Sequence, residues 1–286
     1  MTPHQDEFER ILNPGAAPSR PDGQAPDVAG TRSPEYGEWD PRSAPGTYFL
    51  LALNIGVFIW MVANGVSLRE PTKAQLLHYG ANSPLLILTG EWWRLLTATF
   101  VHIGVIHIAT NMWCLWNLGL LGEPLLGPLG IVAVYVLTGV AGNLVSVGWD
   151  VGLAIWTRSP QDLAGAVGAG ASGAVFGLAG ILIVLLSNKR LPIPWTELKR
   201  LRTSVVRFAV LNLVIGASTI LPILGSVVRI DNSAHLGGFL YGLALGPGLL
   251  PQMTAGRMRY LKRQRIVFFA GAFVLALIGY YLSSMV

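Results

Sequence analysis

The chain has 286 residues, of which 52% are apolar and 12% are charged. A soluble globular domain carries about 25% charged residues, so this composition excludes an ordinary water-soluble domain and favours a membrane protein. The net charge of +5 does not indicate a nucleic-acid partner, because the bases lie in short loops between apolar runs, and the single cysteine excludes an internal disulfide.

Residues 1–46 have the composition of a disordered tail. They are rich in proline, glycine and acidic residues, and they lack apolar periodicity. They also lack the apolar stretch of a signal peptide. We therefore expect an N-terminal tail that stays outside the membrane.

Seven apolar runs follow the tail. We place them at about 47–64, 95–121, 125–148, 168–187, 206–226, 233–250 and 266–284. Each reaches or nearly reaches the ~20 residues with which a helix crosses ~30 Å of hydrocarbon. Because lipid admits only helices or closed barrels, and these runs are too long and too uniformly apolar for barrel strands, we predict an all-α, polytopic membrane helix bundle.

The bases between the runs predict the topology. Of the 20 Lys and Arg residues, 15 lie on one side if the first run starts in the cytoplasm, and five lie on the other. Cytoplasmic loops carry the excess of bases in membrane proteins. The N-terminus is therefore expected in the cytoplasm and the C-terminus outside.

Polar side chains on three separate runs fall at one depth. Ser172 stands in GAGASGAVFG at the start of the fourth run, His107 and Asn111 lie in the second, and His235 lies in the sixth. Ser172, His107 and His235 each precede the predicted inner end of their run by 14 residues. Polar groups are expensive within a membrane, so a single layer of them indicates a functional site.

These residue types fit acyl transfer. A serine hydroxyl is a weak nucleophile until a base takes its proton, and His235 has the type of side chain whose ordinary pKa suits this role. The reaction also generates an oxyanion, for which His107 and Asn111, spaced i and i+4 on one helix face, are candidate donors. Unpaired N–H groups at the start of the fourth run would add to them.

Structural roles compete with each of these interpretations. Ser172 also belongs to a seam of small residues typical of helix packing, and buried histidines often bond only to backbone. Asp231 lies four residues before His235 and is either a helix cap or a triad acid, and the Asp-Asn-Ser sequence favours the cap. We expect His102, five residues before His107, to be directed elsewhere and to fix the outer loop.

Taken together, four fragments resemble the rhomboid family of intramembrane serine proteases. They are GASG at Gly170–Gly173, His107-x-x-x-Asn111 with His102 before it, AHLGG at Ala234–Gly238, and Trp93-Arg94 in the first outer loop. The fragments occur in the family's order within residues 47–250.

The resemblance implies a role for each matching residue. Ser172 corresponds to the nucleophile and His235 to the general base of a Ser–His dyad. The oxyanion and substrate side corresponds to His107, Asn111, Gly170 and Ala171. Phe176 stands where the family often has a tyrosine that stacks on the catalytic histidine.

The resemblance also implies an organisation and a setting. Residues 1–46 would be the cytoplasmic tail, 47–250 the six-helix catalytic core, and 251–286 a basic linker and a seventh membrane helix. Such a protein, expected in a bacterial plasma membrane, acts on transmembrane protein substrates in the bilayer, with no metal, cofactor or nucleic acid. Two alternatives stay open: a related protein that binds clients without cutting them, and a transporter, which would show polar groups at several depths.

Overall fold

The computed structural model of the chain describes residues 44–159, 163, 166–218, 231–251 and 256–284. All regular elements among them are helices, apart from one isolated antiparallel bridge between Asn82 and Gly168. The all-α prediction is thereby confirmed. The expectations for the tail up to residue 43 and for residues 219–230 lie outside the described residues.

Ten α-helices follow one another in the described part of the chain. Their bounds are α1 Pro45–Ala63, α2 Lys73–His78, α3 Pro84–Leu88, α4 Arg94–Thr97, α5 Gly104–Leu126, α6 Pro128–Thr157, α7 Ser172–Leu185, α8 Trp195–Ser218, α9 Asn232–Leu245 and α10 Arg257–Ser283. A 3₁₀ turn, Gly246–Leu249, extends α9. In their described parts, the seven predicted runs overlap α1, α5, α6, α7, α8, α9 and α10 in this order.

Three of the described helices, α1, α6 and α10, are long and apolar enough to cross a membrane by length and composition alone. In contrast, α7 and α9 have 14 residues each. At ~1.5 Å per residue they are ~21 Å long, less than the ~30 Å of a hydrocarbon core. At least one end of α7 must therefore lie within the thickness of the membrane, whereas the 3₁₀ turn lengthens α9 to ~29 Å.

The predicted start and end of the second run are wrong. The chain forms the short α4, turns, and begins α5 only at Gly104, whose φ of 81° breaks the helix. At the other end α5 continues through Pro124 to Leu126. Because α5, α7 and α9 end at Leu126, Leu185 and Leu245, the equal spacing of 14 residues to the inner ends is not reproduced.

Helix α7 lies at the centre of the bundle and is buried from Gly173 to Leu182. Its closest neighbour is α9, where glycines let the two backbones touch. A Cβ atom on Gly238 would lie 2.0 Å from the carbonyl oxygen of Gly173, and one on Gly242 would lie 2.1 Å from that of Gly177. Only glycine fits at both positions of α9.

The loop between α1 and α5 is held by a buried arginine. Arg94 is 6% exposed, and its guanidinium donates to the carbonyl oxygens of Leu77 and Ala81 at 2.7 and 3.1 Å. It also pairs with Glu91 at 2.7 Å and lies 4.6 Å from the centre of the Trp93 ring. The Trp-Arg pair of the sequence therefore fixes the path of this loop.

A buried carboxylate on α5 caps the start of α1. Glu123 is 3% exposed, and its two oxygens accept from the N–H groups of Gly46 and Thr47 at 2.8 and 2.7 Å and from the Thr47 hydroxyl at 2.7 Å. The first N–H groups of a helix have no partner within it, and its dipole favours an anion there. Glu123 thus joins the two helices through a charge–dipole contact.

We expect Glu123→Ala to destabilise the protein by about 3 kcal/mol, because three buried donors lose a charged acceptor. Reversible unfolding in mixed micelles, followed by circular dichroism, measures the change.

Glu197→Ala is the matched control, since this glutamate forms a solvent-exposed ion pair with Arg200 at 3.0 Å. Removing an exposed pair changes stability by at most about 1 kcal/mol. Equal effects of the two substitutions would contradict the capping role of Glu123.

Candidate active site

Ser172 is the first residue of α7 and is half-buried. The chain reaches it from the bridge at Gly168, which exchanges two backbone hydrogen bonds with Asn82 at 2.7 and 3.0 Å. Gly170 follows with a φ of 129°, a conformation that favours glycine, and donates to the carbonyl of Ala98 at 2.9 Å. The outer loop therefore positions the backbone just before the serine.

His235 lies in the first turns of α9 and is 6% exposed. Its ring stacks on Phe176, with centroids 4.3 Å apart and planes inclined by 15°. Phe176 is four residues after Ser172, so both lie on one face of α7. The stack therefore places the imidazole on the face of α7 that carries the serine.

The backbones beside these two residues are also in contact. A Cβ atom on Gly173 would lie 3.4 Å from the carbonyl oxygen of Ala234, and the carbonyl of Gly173 faces Gly238. Gly173 follows Ser172 in the chain, and Ala234 precedes His235. The glycine contact between α7 and α9 thus brings the hydroxyl and the imidazole to one level.

His107 and Asn111 face the backbone before Ser172. A Cβ atom on Gly170 would lie 2.6 Å from Cε1 and 2.9 Å from Nε2 of His107, and 3.7 Å from Nδ2 of Asn111. Nδ1 of His107 accepts from the N–H of Ile103 at 3.2 Å. A neutral ring that accepts at Nδ1 carries its proton on Nε2, so His107 presents a donor at Gly170.

Asn111 also has an N–H group that can donate to a substrate. One N–H of its amide donates to the carbonyl of His107 at 3.0 Å, which orients the side chain along α5. An amide nitrogen carries two hydrogens, so the second is available on the side of Gly170. The structure therefore brings together four of the predicted site residues around the start of α7.

The prediction that His102 points away from this region is wrong. His102 is fully buried, and its ring centroid lies 5.5 Å from that of His107. The prediction assumed one continuous helix, whereas His102 precedes the start of α5 at Gly104. The glycine was the signal that sequence reasoning missed.

His102 instead connects the outer loop to the segment before the serine. Its Nδ1 lies 3.0 Å from the carbonyl oxygen of Phe100, and its Nε2 accepts from the N–H of Ala171 at 3.4 Å. The N–H of Ala171, predicted as an oxyanion donor, thus has an acceptor within the protein. The oxyanion role of Ala171 therefore stays a prediction.

The predicted helix cap at Asp231 is confirmed. Its Oδ1 accepts from the N–H of Ala234 at 3.0 Å and from the hydroxyl of Ser233 at 2.5 Å. Its Oδ2 accepts from the hydroxyl of Ser146 on α6 at 2.6 Å, a contact that sequence reasoning did not foresee. Asp231 bonds to His235 through the backbone, where the N–H of His235 donates to the Asp231 carbonyl at 3.2 Å. Nδ1 of His235 is a buried atom without a hydrogen-bond partner among the described residues.

Known proteins similar to this chain come from one family. Residues 89–252 match the family model of the Rhomboid domain, which covers α7, α9 and the described site residues. The chain is 33% identical over 230 residues to Rhomboid protease GluP of Bacillus subtilis, which covers 80% of this chain and 39% of that protein.

Two further relatives are similar over more of their own length. Rhomboid-like protease 2 of Toxoplasma gondii is 30% identical over 227 residues, covering 76% of this chain and 72% of that protein. Rhomboid protease AarA of Providencia stuartii is 30% identical over 204 residues, covering 68% of this chain and 69% of that protein. With the family model matching more than half of its length, this integral membrane protein belongs to the rhomboid family.

Proposed function

We propose that this protein is an intramembrane serine endopeptidase in which Ser172 is the nucleophile and His235 the general base. The observation that carries the proposal is the stack of His235 on Phe176, one helical turn from Ser172. The relatives named as rhomboid proteases support the same activity. Both members of the dyad are present, which favours a protease over a relative that only binds clients.

The reaction proceeds in two acyl-transfer steps. The Ser172 hydroxyl attacks the scissile carbonyl carbon while His235 takes its proton, and collapse of the tetrahedral intermediate breaks the C–N bond as His235 returns the proton to the leaving amine. Water then attacks the acyl-enzyme with His235 again as base. Nε2 accepts this proton and returns it, because Nδ1 is a buried atom, and Nδ1 therefore carries the hydrogen of the neutral ring.

The oxyanion side is formed by α5 and the start of α7. The Nε2–H of His107, the second N–H of Asn111 and the backbone N–H of Ser172 are the donors that stabilise the developing charge. Gly170 keeps the space beside His107 open for the substrate carbonyl. Ala171 joins this group only if its N–H leaves His102 on substrate binding.

The substrates are transmembrane segments of other proteins, cleaved near the outer face of the bilayer. A cavity of about 360 Å³ separates α5 from α8 on the inner side of this level and is lined by Cys114, Leu118, Val205 and Phe208 among others. The catalytic core is residues 47–250, preceded by a cytoplasmic tail and followed by a linker and the seventh helix α10. The C-terminus lies outside, and the setting is a bacterial plasma membrane.

We expect a fluorophosphonate probe to label the purified protein and Ser172→Ala to abolish the labelling, since the probe reacts with an activated serine hydroxyl. In-gel fluorescence measures it. Ser187→Ala is the matched control: this serine lies near the other end of α7, where its hydroxyl donates to the carbonyl of Ile183 at 2.7 Å. A protein that binds clients without cutting them would stay unlabelled in the wild type, which would overturn the proposal.

Gly170→Ala should lower kcat for cleavage of a membrane-anchored reporter about 100-fold, because the added methyl displaces the His107 ring by up to an ångström. The substitution also strains a φ of 129°.

Gly90→Ala separates the two effects. Gly90 has a φ of 115°, and a Cβ atom there would meet nothing within 4 Å. This variant therefore carries comparable strain without the collision, and its kcat should be close to that of the wild type. A similar loss of kcat in both variants would argue against a role for the space at Gly170.

Asp231→Asn should keep activity within about tenfold of the wild type, because an amide oxygen still caps α9. The pH dependence of kcat/KM should also keep its shape if Asp231 acts as a cap and not as a triad acid. A loss as large as that of Ser172→Ala, with His235→Gln as the reference for a missing base, would make Asp231 a catalytic residue.

A further inference from the structure

The segment from the end of α7 into α8 carries a concentrated positive charge that the proteolytic site does not use. Residues 187–207 contain six basic side chains and one acidic side chain. The acid, Glu197, already pairs with Arg200 at 3.0 Å. The other bases of the segment therefore have no carboxylate from it to neutralise them.

Two of these cations contact the ring of Trp195, the first residue of α8. Lys189 Nζ lies 5.0 Å and Arg202 Cζ 5.8 Å from the centre of its indole. The two distances limit the separation of the charges to about 11 Å. Two positive charges within this distance raise the local positive potential, which favours an anion beside them.

The two cations come from different elements, and one of them is fixed. Lys189 follows α7, whereas Arg202 lies two turns into α8 and donates to the hydroxyl of Ser187 at 3.3 Å. Trp195 is 39% exposed and presents an apolar edge beside the charges. We call Lys189, Trp195 and Arg202 the Trp195 surface.

The position of the surface on α8 indicates what binds there. Val206, Val210 and Val214 follow Arg202 at intervals of four residues and are 38%, 55% and 60% exposed. They form one exposed apolar stripe on the helix face of Arg202, a pattern that is typical of a helix surface in contact with lipid. The first valine is ~6 Å from Arg202 along the axis, so the Trp195 surface lies at the level of the headgroups.

We propose that the Trp195 surface binds the phosphate of an anionic phospholipid, with Lys189 and Arg202 on the phosphate and Trp195 at the boundary of the acyl chains. A tryptophan flanked by bases at the end of a lipid-facing stripe is typical of such contacts. A nucleic acid or an acidic protein fits this surface less well, because the adjoining bilayer restricts the approach of a large ligand. The bound lipid would restrain the inner end of α8, the helix that lines the cavity opposite α5.

The test measures thermal unfolding of the full chain in neutral detergent micelles with increasing mole fractions of phosphatidylglycerol or phosphatidylcholine. The Ser172→Ala variant is used throughout, so the outcome is independent of proteolysis. Phosphatidylglycerol should raise the unfolding temperature, and phosphatidylcholine should not. Lys189→Gln with Arg202→Gln should raise the mole fraction at half-maximal shift about 30-fold, at about 1 kcal/mol for each base.

Two matched control variants test whether the position of the charges matters and whether the protein still folds. Arg69→Gln with Arg158→Gln removes the same net charge from other loops and should keep the shift. Lys189→Arg with Arg202→Lys keeps both charges and should also keep it, which separates loss of the site from misfolding.

The proposal is overturned if the double glutamine variant responds like the wild type, or if the Arg69 and Arg158 control loses the shift equally. It is also overturned if glycerol 3-phosphate or duplex DNA reproduces the shift at equal phosphate concentration, because the ligand would then be a soluble anion and not a lipid.

Discussion

The active site depends on the close approach of two helix backbones. Lipid provides no hydrophobic force between helices, so α7 and α9 must associate through van der Waals contact and weak polar contacts. The carbonyls of Gly173 and Gly177 lie against Gly238 and Gly242, at distances where any side chain would collide. This double contact fixes the separation and the register of the two helices, and with them the relation between Ser172 and His235.

A second set of contacts fixes the loop before the serine. The bridge between Asn82 and Gly168, the bond from Gly170 to Ala98 and the bond from Ala171 to His102 all tie this short stretch to the outer loop. That loop is held in turn by the buried Arg94. Donors aimed at a developing charge are effective only if they need not reorganise during the reaction, and this network supplies that rigidity.

The sequence was sufficient to predict the all-α bundle and the residues that meet at the start of α7. Apolar runs separated by basic loops have few structural solutions in a membrane, and small residues at i and i+4 mark the faces that approach each other. Ser172, His107 and His235 lie on helices that meet near the start of α7, and their joint catalytic role stays a prediction. The equal count of residues to the inner helix ends, which first grouped them, is not reproduced.

The predictions were wrong or missing where contacts between distant parts of the chain determine the structure. Pro124 was expected to lie beyond the second run, yet it is accommodated in the last turn of α5, where the buried Glu123 beside it caps α1 from another part of the chain. His102 lies in a loop, where helical spacing carries no information. The contact of Ser146 with Asp231 joins residues 85 positions apart, and no local sequence pattern predicts it.

The short length of α7 determines the depth in the membrane at which Ser172 can lie. A helix that spanned the whole bilayer would place its first N–H groups, and any serine there, at the headgroups, where a transmembrane substrate is not exposed. A helix of 14 residues that ends at one face of the hydrocarbon begins below the other, so a serine at the start of α7 would lie within the thickness of the bilayer. Ser172 is only half-buried, while His235 behind it is shielded by Phe176. In the proposed reaction, water therefore reaches the acyl-enzyme from the exposed side of Ser172, while the glycine contacts keep α7 and α9 together.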